Sequence, residues 1–191
     1  MPLTTLDPHC ALIVIDLQRG IVSLPTVHPS DEITARAVEL IDAFRSHGLP
    51  VVLVNVAGAA AGRSDIAPRS SPAEDWSVLV DALNPVASDI LITKKCWGAF
   101  TTTGLDAMLR ARGVTQIVLV GIASSIGIES SARSAHELGY NVVFALDAIT
   151  DLNAESHQHS ISRIFPRLGE VTTTAELLTR LEQERSDGAR A

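Results

Sequence analysis

Apolar residues along this chain fall into two alternating kinds of segment. Short continuous runs, CALIVID (10–16), PVVLVNV (50–56), DILIT (89–93), QIVLVGI (116–122) and NVVFAL (141–146), have the length of strands and the unbroken hydrophobicity of strands covered on both faces. Between them lie segments of helical period. In 32–48, Ile33, Ala37, Leu40, Ile41 and Phe44 share one face and Gly48 supplies a stop. In 102–113, Leu105, Met108 and Leu109 point inward, and further helices are expected over about 125–138, 154–165 and 175–185. The stretch 57–72, rich in Gly, Ala, Ser and Pro, suits neither element and reads as a long loop, a lid or a pocket wall.

Parallel strands need crossover connections, so repeated strand–helix–strand units predict one three-layer αβα domain with a mostly parallel, Rossmann-like sheet of about six strands. The domain is expected over residues 1–185, with 186–191 a flexible tail.

Composition narrows the function classes. The 191 residues are 46% apolar with mean hydropathy +0.24, yet no uncharged apolar run approaches the ~20 residues of a membrane span. The first residues lack a basic region followed by a long apolar block, so a cytoplasmic protein is expected. A net charge of −7 and scattered Lys and Arg, densest at Lys94-Lys95, argue against nucleic acid and anionic membranes as partners. Two cysteines make neither a disulfide framework nor a CxxC metal pattern and fit a reducing compartment.

In sheets of this kind ligands sit beyond the carboxyl ends of the strands. Asp16, Asn55, Lys94, the turn GIASSIG (121–127) and Asp147 are the expected rim residues. Asp16 follows buried aliphatics, which raises its pKa unless a cation restores the charged form, and Lys94 is the candidate cation. Such a pair suits proton transfer equally with a structural ion pair capping the sheet.

ALIVIDLQRGIV (11–22), ITKKCWGAF (92–100), VLVGIASSIGIESSARSAHELGYNVVFALDAITD (118–151) and FPRLG (165–169) together resemble the isochorismatase-like, or cysteine hydrolase, superfamily. The resemblance implies a catalytic trio of Asp16, Lys94 (six residues before Phe100) and a cysteine at the position held here by Gly127. It implies an oxyanion site at the backbone N–H groups of Ala123 and Gly127 and a non-proline cis bond at Ile122-Ala123. Glycine removes the usual thiolate route, in which sulfur attacks an amide carbonyl. The isochorismatases proper also lack that cysteine, and there the Asp acts as a general acid on a vinyl ether.

The expected function is therefore a cysteine-less hydrolase of a small vinyl-ether or amide-type substrate, anionic ones included, working through Asp16 and Lys94. The rivals are an inactive binding or scaffold protein on the same fold, and an amidase using Cys96. Cys10 reads as core, while Ser124 and Ser125 read as capping hydroxyls, with no His placed in sequence as an activating base. Gln18, Trp97, Phe100 and Arg63 are candidate substrate contacts: a directional amide, two flat apolar walls and a partner for a carboxylate. Glu129 and Arg133 fit an i,i+4 ion pair. No metal or other cofactor is expected. The segment after the second strand has none of the histidines that hold metal in the similar nicotinamidases, and His157 and His159 are two apart on a helix. The resemblance also implies a homodimer or homotetramer.

Overall fold

The computed structural model describes residues 3–65 and 73–188. Six strands, β1 (Cys10–Ile15), β2 (Val51–Val56), β3 (Ile90–Lys94), β4 (Gln116–Ile122), β5 (Asn141–Thr150) and β6 (Glu170–Thr172), form one sheet in the order β3-β2-β1-β4-β5-β6. Every neighbouring pair is parallel. The helices are α1 (Arg19–Val22), α2 (Ser30–Ser46), α3 (Leu105–Arg110), α4 (Glu129–Glu137), α5 (Ala154–His159), α6 (Phe165–Leu168) and α7 (Thr174–Gly188).

Strand alternation sorts the core into two layers. Leu12, Val14, Leu53, Val118, Val120 and Val143 face α2 and α7, whose Phe44, Leu40, Leu177 and Leu181 cover them. Ile13, Ile15, Val52, Val54, Leu119 and Phe144 face the other way, under Leu105, Leu109, Ala132 and Phe165. Phe144 and Phe165 stack at 4.0 Å between ring centroids. All five apolar positions expected to face inward on α2 are buried.

Four local expectations are corrected. The third helix spans only Leu105–Arg110 after Gly104 (φ 75°), and Met108 is exposed, because Leu105 and Leu109, one turn apart, already fill the inner face. β5 runs four residues past Leu146, since a register shift lets Ile149 and Thr150 pair with Gly121 and Ile122. Asp147 therefore leaves the rim and accepts from the Thr174 N–H and hydroxyl at 2.8 and 3.1 Å, where α7 begins. At the chain's end, residues 186–188 continue α7 past the expected helix end, while 189–191 lie outside the described residues. Residues 57–65 of the long loop are irregular, and 66–72 are likewise not among the described residues.

No helix among the described residues is long and apolar enough to cross a membrane. The order of the sheet reverses at β1, which lies between β2 and β4, so the loops after β1 and β4 diverge and open a crevice.

Candidate active site

β1 stops at Asp16 because that residue turns into the left-handed region (φ 54°), a conformation Asp tolerates better than most side chains. Lys94 ends β3 on the same side as Ile90 and Ile92, which alternation carries inward. The two charges meet at 2.7 Å between Lys94 Nζ and Asp16 Oδ2, both side chains almost fully buried. Lys94 also donates to the Cys96 carbonyl at 3.3 Å. Burial pushes the Asp16 carboxyl up and Lys94 pulls it only part of the way back, so its pKa stands at about 6 instead of 3.8. Its second oxygen, Oδ1, is buried without a hydrogen-bond partner.

The pair sits in a cleft of about 280 Å³ that also includes Ala123 and Gly127. The Ile122-Ala123 bond is cis, as the resemblance implied. A π-helical turn, Ser124–Ile128, leads from β4 into α4, and Gly127 lies within it. A Cβ at Gly127 would stand 3.2 Å from Asp16 Oδ2 and 2.9 Å from Ile15 Cγ2. Position 127 thus adjoins the carboxylate, and the Ile15 methyl leaves no room there for a side chain without movement.

The walls come from elements far apart in sequence: Ile21 and Leu24, Val56, Gly58 and Ala59, Trp76, Cys96 and Trp97, Ile126, and Leu152. Both tryptophans of the chain are among them. Trp76 was not foreseen, because the segment around it carries no periodic pattern. A lone Trp among polar residues was the available signal. Its ring lies so close over Gly20 that any Cβ there would collide with it.

Gln18 explains how the Trp76 segment is held, and corrects its expected role. Its amide donates to the Val56 and Trp76 carbonyls at 3.1 and 3.0 Å and accepts from Val56 N–H at 2.7 Å, so its polar atoms are committed to backbone. Arg19 and Gly20 N–H donate to the Val78 and Trp76 carbonyls, and Asn55 donates to the Ser77 carbonyl.

Of the remaining candidates, Trp97 lines the cleft and is 65% exposed at its mouth. Phe100 does not line it; the ring packs on the core beside Tyr140, 5.9 Å between centroids. Arg63 is exposed on the loop and is not part of the cleft wall. Cys96 borders the cleft, but its thiol is directed at the Gly98 and Thr101 carbonyls at 3.6 and 3.7 Å. Cys10 is buried in β1. Glu129 and Arg133 form the expected pair at 3.0 Å, and Glu129 also accepts from Ser160.

Behind the turn lies a cluster that sequence reading missed. Ser124 Oγ donates to Asp151 Oδ2 at 2.7 Å and lies 2.9 Å from His157 Nδ1. A hydroxyl has one proton, so the imidazole must donate to Ser124 from Nδ1. The Ser125 N–H donates to the same Asp151 oxygen at 2.7 Å, while Leu152 and Asn153 N–H donate to the other at 2.7 and 3.2 Å. Burial pushes the Asp151 carboxyl up, but the bonds from Ser125, Ser124 and Asn153 more than reverse this and hold it below its ordinary value. Burial, reinforced by the neighbouring His28 ring, lowers the His157 pKa.

The turn is therefore capped by a carboxylate from the end of β5 and not by its own hydroxyls. Asp151 was visible only as the last residue of a motif, and His157 as half of an unpromising pair. His159 is exposed, while His157 is buried. Among the described residues no three His, Cys, Asp or Glu side chains are grouped closely enough to hold a metal ion.

With this geometry established, relatives bear on it. A model of the isochorismatase domain matches residues 10–176. An uncharacterised isochorismatase family protein of Escherichia coli O157:H7, YecD, is 44% identical over 179 residues, spanning 90% of this chain and 95% of that protein. The structure of an isochorismatase family protein from Burkholderia thailandensis superposes with a TM-score of 0.89 at 42% identity, covering 93% of this chain and 98% of that one. N-carbamoylsarcosine amidase from Thermoplasma acidophilum is similar at a TM-score of 0.73 and 26% identity, covering 86% and 96%. The chain belongs to the isochorismatase family and is a hydrolase on its three-layer α/β fold.

Proposed function

We propose that this hydrolase cleaves a small amide-type or vinyl-ether substrate by direct attack of water, with Asp16 carrying the proton and no covalent enzyme intermediate. One observation carries the reading: a buried Asp16 whose Oδ2 is held by Lys94 at 2.7 Å, whose Oδ1 has no partner, and which adjoins a position with no nucleophilic side chain.

For an amide, the Asp16 carboxylate takes a proton from water as the water oxygen bonds to the carbonyl carbon. The N–H groups of Ala123 and Gly127 hold the developing oxyanion, and Lys94 keeps Asp16 ionised at the start. The C–N bond then breaks and the leaving nitrogen receives the proton from Asp16, which restores the enzyme.

Two alternative nucleophiles fit less well. The Cys96 thiol faces backbone carbonyls. Ser124 gives its proton to Asp151, receives one from His157 and is fully buried, so no base withdraws its proton toward the cleft.

The test is a single turnover in 18O-water on a panel of amides and vinyl ethers, followed by intact mass of the protein. The expected result is label in the product, unmodified protein and loss of activity in Asp16→Asn. An acyl adduct, or full activity in Asp16→Asn, refutes the reading. As a further part of this proposal the enzyme works in the cytoplasm as a homodimer or homotetramer; a monomeric mass by light scattering at micromolar concentration would count against it.

A further inference from the structure

The chemistry of the cleft wall narrows the substrate of the site just proposed. Among the described residues that line it, the ionisable side chains are Asp16, Lys94 and Cys96, and the single cation is already ion-paired to Asp16. The other walls are apolar or small residues, among them Ile21, Leu24, Trp76, Trp97, Ile126 and Leu152. Arg63, the residue expected to meet a carboxylate, is not among them.

A ligand with two carboxylates would have to leave water and, among the described residues of the wall, meet no unpaired cation, which is costly for a buried charge. The chain's net charge of −7 adds to that repulsion. A neutral ligand pays neither penalty. The volume, about 280 Å³, is at the lower limit of small-molecule sites, and two indoles offer flat apolar contact. At the polar end stands Asp16, a carboxylate with one oxygen, Oδ1, left without a hydrogen-bond donor.

We propose that the substrate is a compact, uncharged, largely flat and apolar molecule that presents one N–H or O–H donor to Asp16, and that dicarboxylates are excluded. The inference rests on the hydrolytic reading for the role of the site, and is tested by binding alone, without turnover.

Because both tryptophans of the chain line the cleft, intrinsic fluorescence reports its occupancy. The full-length protein is titrated at constant ionic strength with three probes on one ring: benzamide, acetophenone (the same shape without N–H) and isophthalate (two carboxylates). Benzamide is expected to give a saturable change, with Kd at least tenfold below that of isophthalate and at least threefold below that of acetophenone. Leu152→Arg, which adds a cation at the mouth, is expected to tighten isophthalate at least tenfold relative to the parent.

Isophthalate binding as tightly as benzamide overturns the proposal. So does an unchanged isophthalate affinity in Leu152→Arg, or no benzamide saturation up to about 10 mM, an order above common KM values. The outcomes separate from those of the reaction itself. Neutral-probe selectivity with activity retained in Asp16→Asn sinks the hydrolytic role and leaves the substrate class standing. Turnover of a dicarboxylate that is lost in Asp16→Asn does the reverse.

Discussion

Two buried aspartates follow β1 and β5, the strands on either side of β4, and their surroundings push them in opposite directions. Asp151, with Ser124 and His157 in contact, has the composition of a hydrolytic triad. Asp16, with Lys94 and a glycine, does not. Yet Asp151 has each oxygen bonded twice and lies behind the turn, whereas Asp16 keeps one oxygen without a partner and faces the cleft. A carboxylate saturated by donors is a low-energy structural group with a depressed pKa. One held by a single lysine and stripped of water is able to exchange a proton near neutrality. Saturation of the oxygens, more than the identity of the neighbours, distinguishes scaffold from chemistry here.

The contrast can be broken most decisively by replacing each acid in turn. Asp16→Asn is expected to lower kcat/KM by roughly 10²–10⁴-fold, with far-UV circular dichroism unchanged. A matching loss in Ser124→Ala would instead make the serine cluster the reactive one.

Asp151→Ala leaves the Ser124 hydroxyl and the Ser125, Leu152 and Asn153 N–H groups without their acceptor, and the folded state is expected to lose about 3 kcal/mol or more in urea denaturation. A loss under 1 kcal/mol, on the order of one ordinary hydrogen bond, would show that the turn holds itself.

The two acids should also bend stability against pH with opposite sign. The folded state holds the Asp16 proton more tightly than the unfolded chain does. Its contribution is thus complete below about 3.8 and lost as pH rises through about 6, amounting to roughly 3 kcal/mol. Asp151 and His157, both lowered, contribute stability present above their unfolded values and lost as pH falls. Comparing wild type with Asp16→Asn between pH 4 and 7 isolates the first term, and parallel curves would show that Asp16 has an ordinary pKa. In catalysis, kcat/KM is expected to rise with pH through about 6, as the base form of Asp16 requires. A falling limb there would assign it the acid role.

Gly127→Ala is expected to cost about 1–3 kcal/mol, because its methyl would meet Ile15 Cγ2 at 2.9 Å. Relief of that cost in the double variant with Ile15→Ala would confirm the clash, and an unchanged cost would place the strain elsewhere. Ser124→Ala is the mildest change, about 1 kcal/mol in stability and under tenfold in activity.

How much of this was legible varied by residue. Asp16 and Lys94 end apolar runs, and the rule that ligands gather at the carboxyl ends of parallel strands ranks such residues at once. Asp147 shows where that rule strains: it ends the apolar run but not the strand, because the register shift in β5 carries pairing past it. Gln18 and Phe100 sit in motif-like segments, and their side chains proved committed to backbone and core. Arg63 has only its charge to recommend it as a ligand contact, and a loop gives charge no direction.

The pattern of apolar runs and helical faces was enough to determine the layers, the parallel sheet and the strand ends, since each follows from local periodicity and from the need to cover both faces. Family motifs added the missing cysteine. What they could not supply were pairings across long separations. Lys94 reaches Asp16 across 78 residues, the Gln18 amide reaches the Trp76 carbonyl across 58, and His157 reaches Ser124 across 33. Those contacts decide which polar atoms are satisfied and which remain free to act, and satisfaction is a property of the folded neighbourhood that no single segment encodes.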